Sequence, residues 1–195
     1  MVHPAAADAL IDEEDFDRNE RLPYWADLWP SAIALALRVA NLDLTGKSVV
    51  ELGCGLGLPS IAALSRGASV LATDHYHETL DFAAYNTLSN LEPQLASSLE
   101  TRQLDWRTPE MDLPRFKLVL AADVLYDKMN VGPLVDLVPK LLDQNGQLLL
   151  ADPRRDYAET FLEAMRERGF ECSAESVIVE HDGRKIEIVL YWLHR

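Results

Sequence analysis

The stretch VVELGCGLGLPSIAAL, from Val49 to Leu64, limits the possible folds more than any other part of the chain. A β-branched apolar run meets Gly53, Gly55 and Gly57, and a helix-like run follows at once. Strand, glycine turn and helix in that order form the repeating unit of an α/β sheet. A turn of this kind can hold a phosphate, a dinucleotide or a sulfonium cofactor.

The rest of the chain repeats the alternation. Pro30 and Ser31 open a helix carrying Ile33, Leu37 and Ala40. KSVVELG reads as a strand, LPSIAALSRG as a helix closed by Gly67, and ASVLATD as a second strand ending at Asp74. HETLDFAAYNTLSNL places Leu80, Ala84, Leu88 and Leu91 on one helical face. ETRQLDW is a third strand and FKLVLAADVLY a fourth, whose unbroken apolar character suits a parallel strand covered on both faces. GPLVDLVPKLLD is helical, with Pro133 in its first turn and Pro139 expected to kink or shorten it. GQLLLAD is a fifth strand, and YAETFLEAMRERG a helix with Phe161, Leu162 and Met165 inward. ECSAESVIVE and KIEIVLYWL, joined by the turn residues of HDGR, form an antiparallel hairpin. The sum is a Rossmann-like α/β fold: a seven-stranded, mostly parallel sheet with helices on both faces and a C-terminal antiparallel hairpin.

Composition narrows the function. At 195 residues the chain is long enough for one domain with a proper core. An excess of 32 acidic over 18 basic side chains argues against a nucleic-acid partner, which needs clustered Lys and Arg. No run approaches the ~18 apolar residues of a membrane span, and the acidic N-terminus is unlike a signal peptide. A cytoplasmic location is therefore expected. Two cysteines, Cys54 and Cys172, make neither a metal cluster nor a disulfide framework. Cys54 reads as a small packing residue of the loop. His75 and His77 lack further ligands and read as surface residues, so no metal site is expected.

Three ligand classes compete for the loop. A phosphate-binding Gly-x-x-x-x-Gly-Lys-Ser/Thr turn is excluded because no lysine follows the glycines. The dinucleotide fingerprint needs a glycine at position 58, where Leu58 stands. Glu51 precedes the turn by two residues. A carboxylate there sits poorly beside a pyrophosphate but well beside an ammonium group. Glu51 and the loop therefore suit the amino-acid end of S-adenosylmethionine, and Asp74, at the end of the second strand, can accept both ribose hydroxyls.

Four features in order, Glu51-x-Gly-x-Gly-x-Gly, Asp74, LDW and AADVLY, carry a family likeness. The sequence resembles the class I (seven-β-strand) S-adenosylmethionine-dependent methyltransferases. It is closest in pattern to the methyltransferase family 16 group, which contains many protein-lysine methyltransferases. The upstream PYWADLWPSAIALA and the Asp-x-x-Tyr of Asp123 to Tyr126 are the group-specific signals. ADPRR, residues 151–155, is similar to the Asp-Pro-x-Arg of the branch that methylates the electron-transfer flavoprotein β subunit. The resemblance covers residues 22–195 and leaves 1–21 as an acidic N-terminal segment. It implies that Trp29 packs beside the cofactor, that Gly53, Cys54 and Gly55 line its methionine portion, and that Asp74 holds the ribose. Trp106 and Ala122 would flank the adenine. Asp123 and Tyr126 would stand beside the target amine as catalytic residues, the carboxylate orienting it and the ring walling its ammonium form. The implied activity is N-methylation of a lysine on a protein substrate. The rivals are a small-molecule N- or O-methyltransferase and a cofactor-binding regulatory protein without activity. The Asn/Asp-Pro-Pro-Tyr signature of amide- and adenine-nitrogen methyltransferases is absent, since ADVLY occupies its place. The acids concentrated at Asp8 to Glu20 read either as a solvated N-terminal segment or as a field near the methyl-donor face that steers a cationic substrate.

Overall fold

The structure is a computed structural model that describes residues 1–3, 24–109 and 113–195. The acidic run from Asp8 to Glu20, and the steering role expected of it, lie outside the described residues.

After a 3₁₀ turn at Tyr24–Ala26, the elements run α1 (Pro30–Val39), β1 (Ser48–Leu52), α2 (Leu58–Ser65), β2 (Ser69–Asp74) and α3 (His77–Asn90). There follow α4 (Pro93–Ala96), β3 (Leu99–Gln103), β4 (Phe116–Ala122), α5 (Lys128–Leu141), β5 (Leu142–Asp152), α6 (Ala158–Glu167), β6 (Glu171–His181) and β7 (Arg184–His194). One seven-stranded sheet has the order β3-β2-β1-β4-β5-β7-β6. β1 to β5 pair in parallel, and β7 runs antiparallel to both β5 and β6. The β6–β7 turn uses Asp182 and Gly183, both at positive φ (50° and 70°), as a two-residue hairpin loop requires.

Side-chain alternation divides the core between the two faces of the sheet. Val49, Val70, Leu118, Leu120 and Leu149 pack with Leu35 and Val39 of α1 and Leu64 of α2. Leu52, Leu71, Val119, Leu148 and Leu150 pack with Leu134 and Val138 of α5 and Phe161, Leu162 and Met165 of α6. The inward face expected of α6 is the observed one.

Two helices turn other faces inward than their apolar spacing suggests. On α1, Leu37 is 62 % exposed, and the buried positions are Ser31, Ala34, Leu35, Ala36 and Val39. That helix is apolar nearly all round, so periodicity cannot select its face. On α3, Leu88 is 68 % exposed while Thr79, Leu80, Ala83, Asn86 and Thr87 are buried. Small side chains let α3 approach the glycine turn, and Asn86 Nδ2 donates to the carbonyls of Leu56 and Val2.

Helix α5 starts four residues before the expected Gly132. Asp127 caps it by accepting the Met129 N–H. Pro139 lies two residues from its end and deprives the Val135 carbonyl of its helical donor. Arg168 replaces that donor: one guanidinium nitrogen donates to the Val135 carbonyl and another to Asp136 at 2.6 Å. Arg168→Ala is expected to cost about 1–2 kcal/mol, a drop in Tm of roughly 2–8 °C for a domain of this size. In a Pro139→Ala background the restored N–H serves Val135, so the same change should cost markedly less. A double-mutant cycle by thermal denaturation checks this.

Candidate active site

Parallel strands that diverge to either side of β1 leave a crevice at their carboxyl ends, where open α/β sheets bind ligands. Strands β1, β2, β4 and β5 each deliver an acid there: Glu51, Asp74, Asp123 and Asp152, all buried.

The glycine turn lies over the end of β1. Gly53 and Gly57 have φ of 67° and 80°, conformations that L side chains rarely adopt. Space at these two positions is tight as well. A Cβ on Gly53 would come within 3.2 Å of the Trp106 ring, and one on Gly57 within 3.0 Å of Ala83. Cys54 is buried, and burial pushes its thiol well above the usual range, which fits the packing role expected of it.

Glu51 is 1 % exposed and lies beneath the turn. Its Oε2 accepts the Ser60 N–H at 2.9 Å and also the Ser60 hydroxyl. Burial pushes its carboxyl up to about 8; the Ser60 hydrogen bonds oppose the shift and the charge of Asp74 adds to it. Asp74 accepts the Gly55 N–H at 3.1 Å and the Tyr76 N–H at 3.3 Å. Burial raises its carboxyl too, and these two N–H groups hold it back.

Beside Asp74 a cleft of about 270 Å³ is lined by His75, Gln103, Leu104, Asp105 and Thr108. Trp106 follows Asp105 and is half-buried against Gly53, and its Nε1 has no hydrogen-bond partner among the described residues. Trp25 comes over the turn from the N-terminal side. Its carbonyl would be 3.6 Å from a Cβ at Gly55, and its ring packs on Phe82 with centroids 5.6 Å apart.

A second cleft, of about 440 Å³, opens at the ends of β4 and β5. Trp29, Ser31, Asp123, Tyr126, Arg155 and Tyr157 are among its lining residues. Asp123 has φ of 56° and is held by its N–H to the Ala151 carbonyl. Its Oδ1 accepts from Arg155 Nε at 2.8 Å. Asp152 is fully buried and accepts the Arg155 N–H at 2.6 Å. Burial raises the Asp152 carboxyl, the Arg155 N–H opposes this, and the neighbouring Asp123 charge adds to it. Tyr126 is half exposed at the mouth. Of the expected site residues, Trp29, Asp123 and Tyr126 line the second cleft, while Glu51, Gly53, Cys54, Gly55, Asp74 and Trp106 lie in or against the glycine turn. Ala122 is half-buried against the α1 face of the core.

Sequence reasoning assigned no role to Asp152, although an acid closing the apolar run LLLAD repeats the signal of VLATD. The Asp123–Arg155 pair joins positions 32 apart, and no local pattern reports it.

Solved structures of 17–18 % identity share this fold. Precorrin-6y C5,15-methyltransferase from Geobacter metallireducens superposes with a TM-score of 0.65, covering 83 % of this chain and 87 % of that one. A TehB-like SAM-dependent methyltransferase from Corynebacterium glutamicum gives 0.60, with 87 % and 89 % covered. The fold is that of the class I S-adenosylmethionine-dependent methyltransferases. Protein N-lysine methyltransferase METTL21A of Mus musculus is 34 % identical over 152 residues, 76 % of this chain and 69 % of that protein. The chain belongs to the lysine methyltransferase family, whose profile matches residues 23–168.

The residues present fit S-adenosylmethionine. A turn in which a Cβ at Gly53 would crowd the Trp106 ring, an indole N–H without a partner among the described residues and a carboxylate at the end of β2 come together at the turn.

The Glu51 environment gives a pH test. Between its ordinary value of 4.5 and about 8, the unfolded chain has lost this proton while the folded chain keeps it. Its contribution to stability is full below that window and is lost as pH rises through it. Glu51→Gln cannot titrate, so its Tm relative to the unmodified protein should climb steadily from pH 4.5 to 8. Melting curves across that range check it, and a constant difference would mean that Glu51 is ionised throughout.

Proposed function

We propose that this chain transfers a methyl group from S-adenosylmethionine to a lysine side chain of a protein substrate, in the cytoplasm. The observation that carries the reading is Asp123, a buried carboxylate at the end of β4 in the lining of an open cleft. The mouse relative's activity on protein lysine supports the substrate class. Tyr126 at the mouth of this cleft and Met129 at the start of α5, 49 % and 64 % exposed, are apolar surface suited to a macromolecular partner rather than an enclosed small molecule. Free Cys54 and Cys172 fit a reducing compartment.

S-adenosylmethionine supplies an electrophilic methyl group on a sulfonium. In this reading the backbone of Gly53, Cys54 and Gly55 faces its methionine portion. Asp74 takes the ribose hydroxyls with the lone pairs that Gly55 and Tyr76 leave open. Trp106 and Ala122 bound the adenine, and Trp29 packs against the cofactor from the N-terminal side. Glu51 serves the site from beneath, by holding the turn through Ser60. Asp123 accepts a hydrogen bond from the incoming amine and aims its lone pair, while Tyr126 walls the approach. Methyl transfer needs an in-line nucleophile, so most of the catalytic demand is positioning.

S-adenosylmethionine or its demethylated product should raise Tm, and NAD should not. Asp74→Ala should weaken cofactor binding by about tenfold or more, since hydrogen bonds to a charged group contribute about 1.5–3 kcal/mol. Asp123→Ala should leave binding nearly intact and lower turnover. Calorimetry with each variant, and transfer of label from tritiated S-adenosylmethionine to proteins of a cell lysate, check these. Stabilisation by NAD alone, or a labelled small molecule with no labelled protein, would overturn the reading.

A further inference from the structure

We propose that Arg155 is a positioning residue that sets the protonation state of the acceptor amine, by holding Asp123 in a compensated ion pair at the cleft wall. The inference rests on the lysine methyltransferase reading above.

The charges that face Asp123 are few. Arg155 Nε lies 2.8 Å from its Oδ1, and the Arg155 backbone N–H is fixed to buried Asp152. The second carboxylate oxygen of Asp152 has no partner among the described residues. Arg154 is paired across to Glu187 of β7 at 3.0 Å. Asp156, Tyr126 and Tyr157 complete the titratable lining, and Tyr191 of β7 lies within electrostatic reach of Asp152. Arg155 therefore serves two buried carboxylates, Asp123 through its guanidinium and Asp152 through its backbone N–H.

The requirement on the amine is chemical. Only neutral lysine has a lone pair to form the N–C bond. That bond forms as the C–S bond breaks with its electron pair left on sulfur, and the methylated nitrogen, now cationic, gives a proton to water. Before transfer, the lysine ammonium must lose one proton to solvent. A carboxylate with no compensating cation works against this. An opposite charge within about 4–6 Å raises an ammonium pKa by about 1–3 units, which stores the substrate as the unreactive form. With Arg155 on Oδ1, Asp123 still accepts a hydrogen bond from a neutral amine while its pull on an ammonium is reduced. Arg155 thus trades affinity for the charged amine against nucleophilicity.

The test needs no knowledge of the protein substrate. Two nitrogen analogues of S-adenosylmethionine, with nitrogen in place of the sulfonium sulfur, would carry a 4-aminobutyl arm or a butyl arm. Calorimetry at pH 7 then gives the affinity ratio of the two arms. Arg155→Gln keeps the backbone bond to Asp152 and should favour the aminobutyl arm about tenfold more than the unmodified protein does, with the butyl arm unchanged. Arg155→Lys, which keeps the charge, should stay within about threefold of the unmodified ratio, and Asp123→Asn should lower the ratio about tenfold or more. Equal weakening of both arms in Arg155→Gln would make the guanidinium merely structural, and a ratio unmoved by Asp123→Asn would show that the arm does not meet Asp123. Either result overturns the proposal. An unmodified protein that binds neither analogue counts instead against the methyltransferase reading.

Discussion

The Glu51–Ser60 contact is the interaction on which the site depends. It joins the end of β1 to the start of α2 beneath three glycines that could otherwise take many conformations. Ser60 is the third residue of α2, so its N–H is one of the donors a helix leaves unpaired at its start. A buried carboxyl satisfies it from inside the sheet. The outer side of the turn is left to the Trp25 carbonyl and the Trp106 ring.

From that anchor the sheet distributes charge with some economy. The carboxyl ends of four parallel strands bring four acids into one buried layer, where like charges repel, burial keeps Glu51 protonated up to about 8, and each other carboxylate has to be met by donors. Asp74 and Asp152 are met by backbone N–H groups and Asp123 by a guanidinium. The two clefts consequently differ in kind. One is lined by polar side chains next to Asp74: His75, Gln103, Asp105 and Thr108. The other carries an ion pair among aromatic rings. A cofactor that is bound but not altered at its ribose suits the first, and an amine that must change protonation state suits the second.

Helix packing shows where apolar spacing loses its authority. Leu88 points to solvent on α3 while Asn86 is buried, because Asn86 completes the hydrogen bonding of Leu56 and Val2 and Ala83 makes room for Gly57. A hydrophobicity count ranks leucine above asparagine at a buried position. It cannot register that a neighbouring loop carbonyl needs a donor. Pro139 near the end of α5 is tolerated for a similar reason, since Arg168 reaches across to the carbonyl that the proline leaves unserved.

The sequence by itself determined the succession of strands and helices along the chain, the hairpin at its end, the glycine turn and the acids Glu51, Asp74 and Asp123 at strand ends. These follow from patterns two to four residues long, governed by backbone sterics and by which side chains can alternate into a core. Only the tertiary structure decided which faces α1 and α3 turn inward, that Glu51 is bonded to Ser60 under the turn, and that Arg155 reaches Asp123. Each of these joins groups from separate elements, and their pairing depends on distances that exist only once the sheet has assembled. The free energy that selects them is the cost of leaving a buried polar group without a partner, and no local stretch of sequence contains both members of the pair.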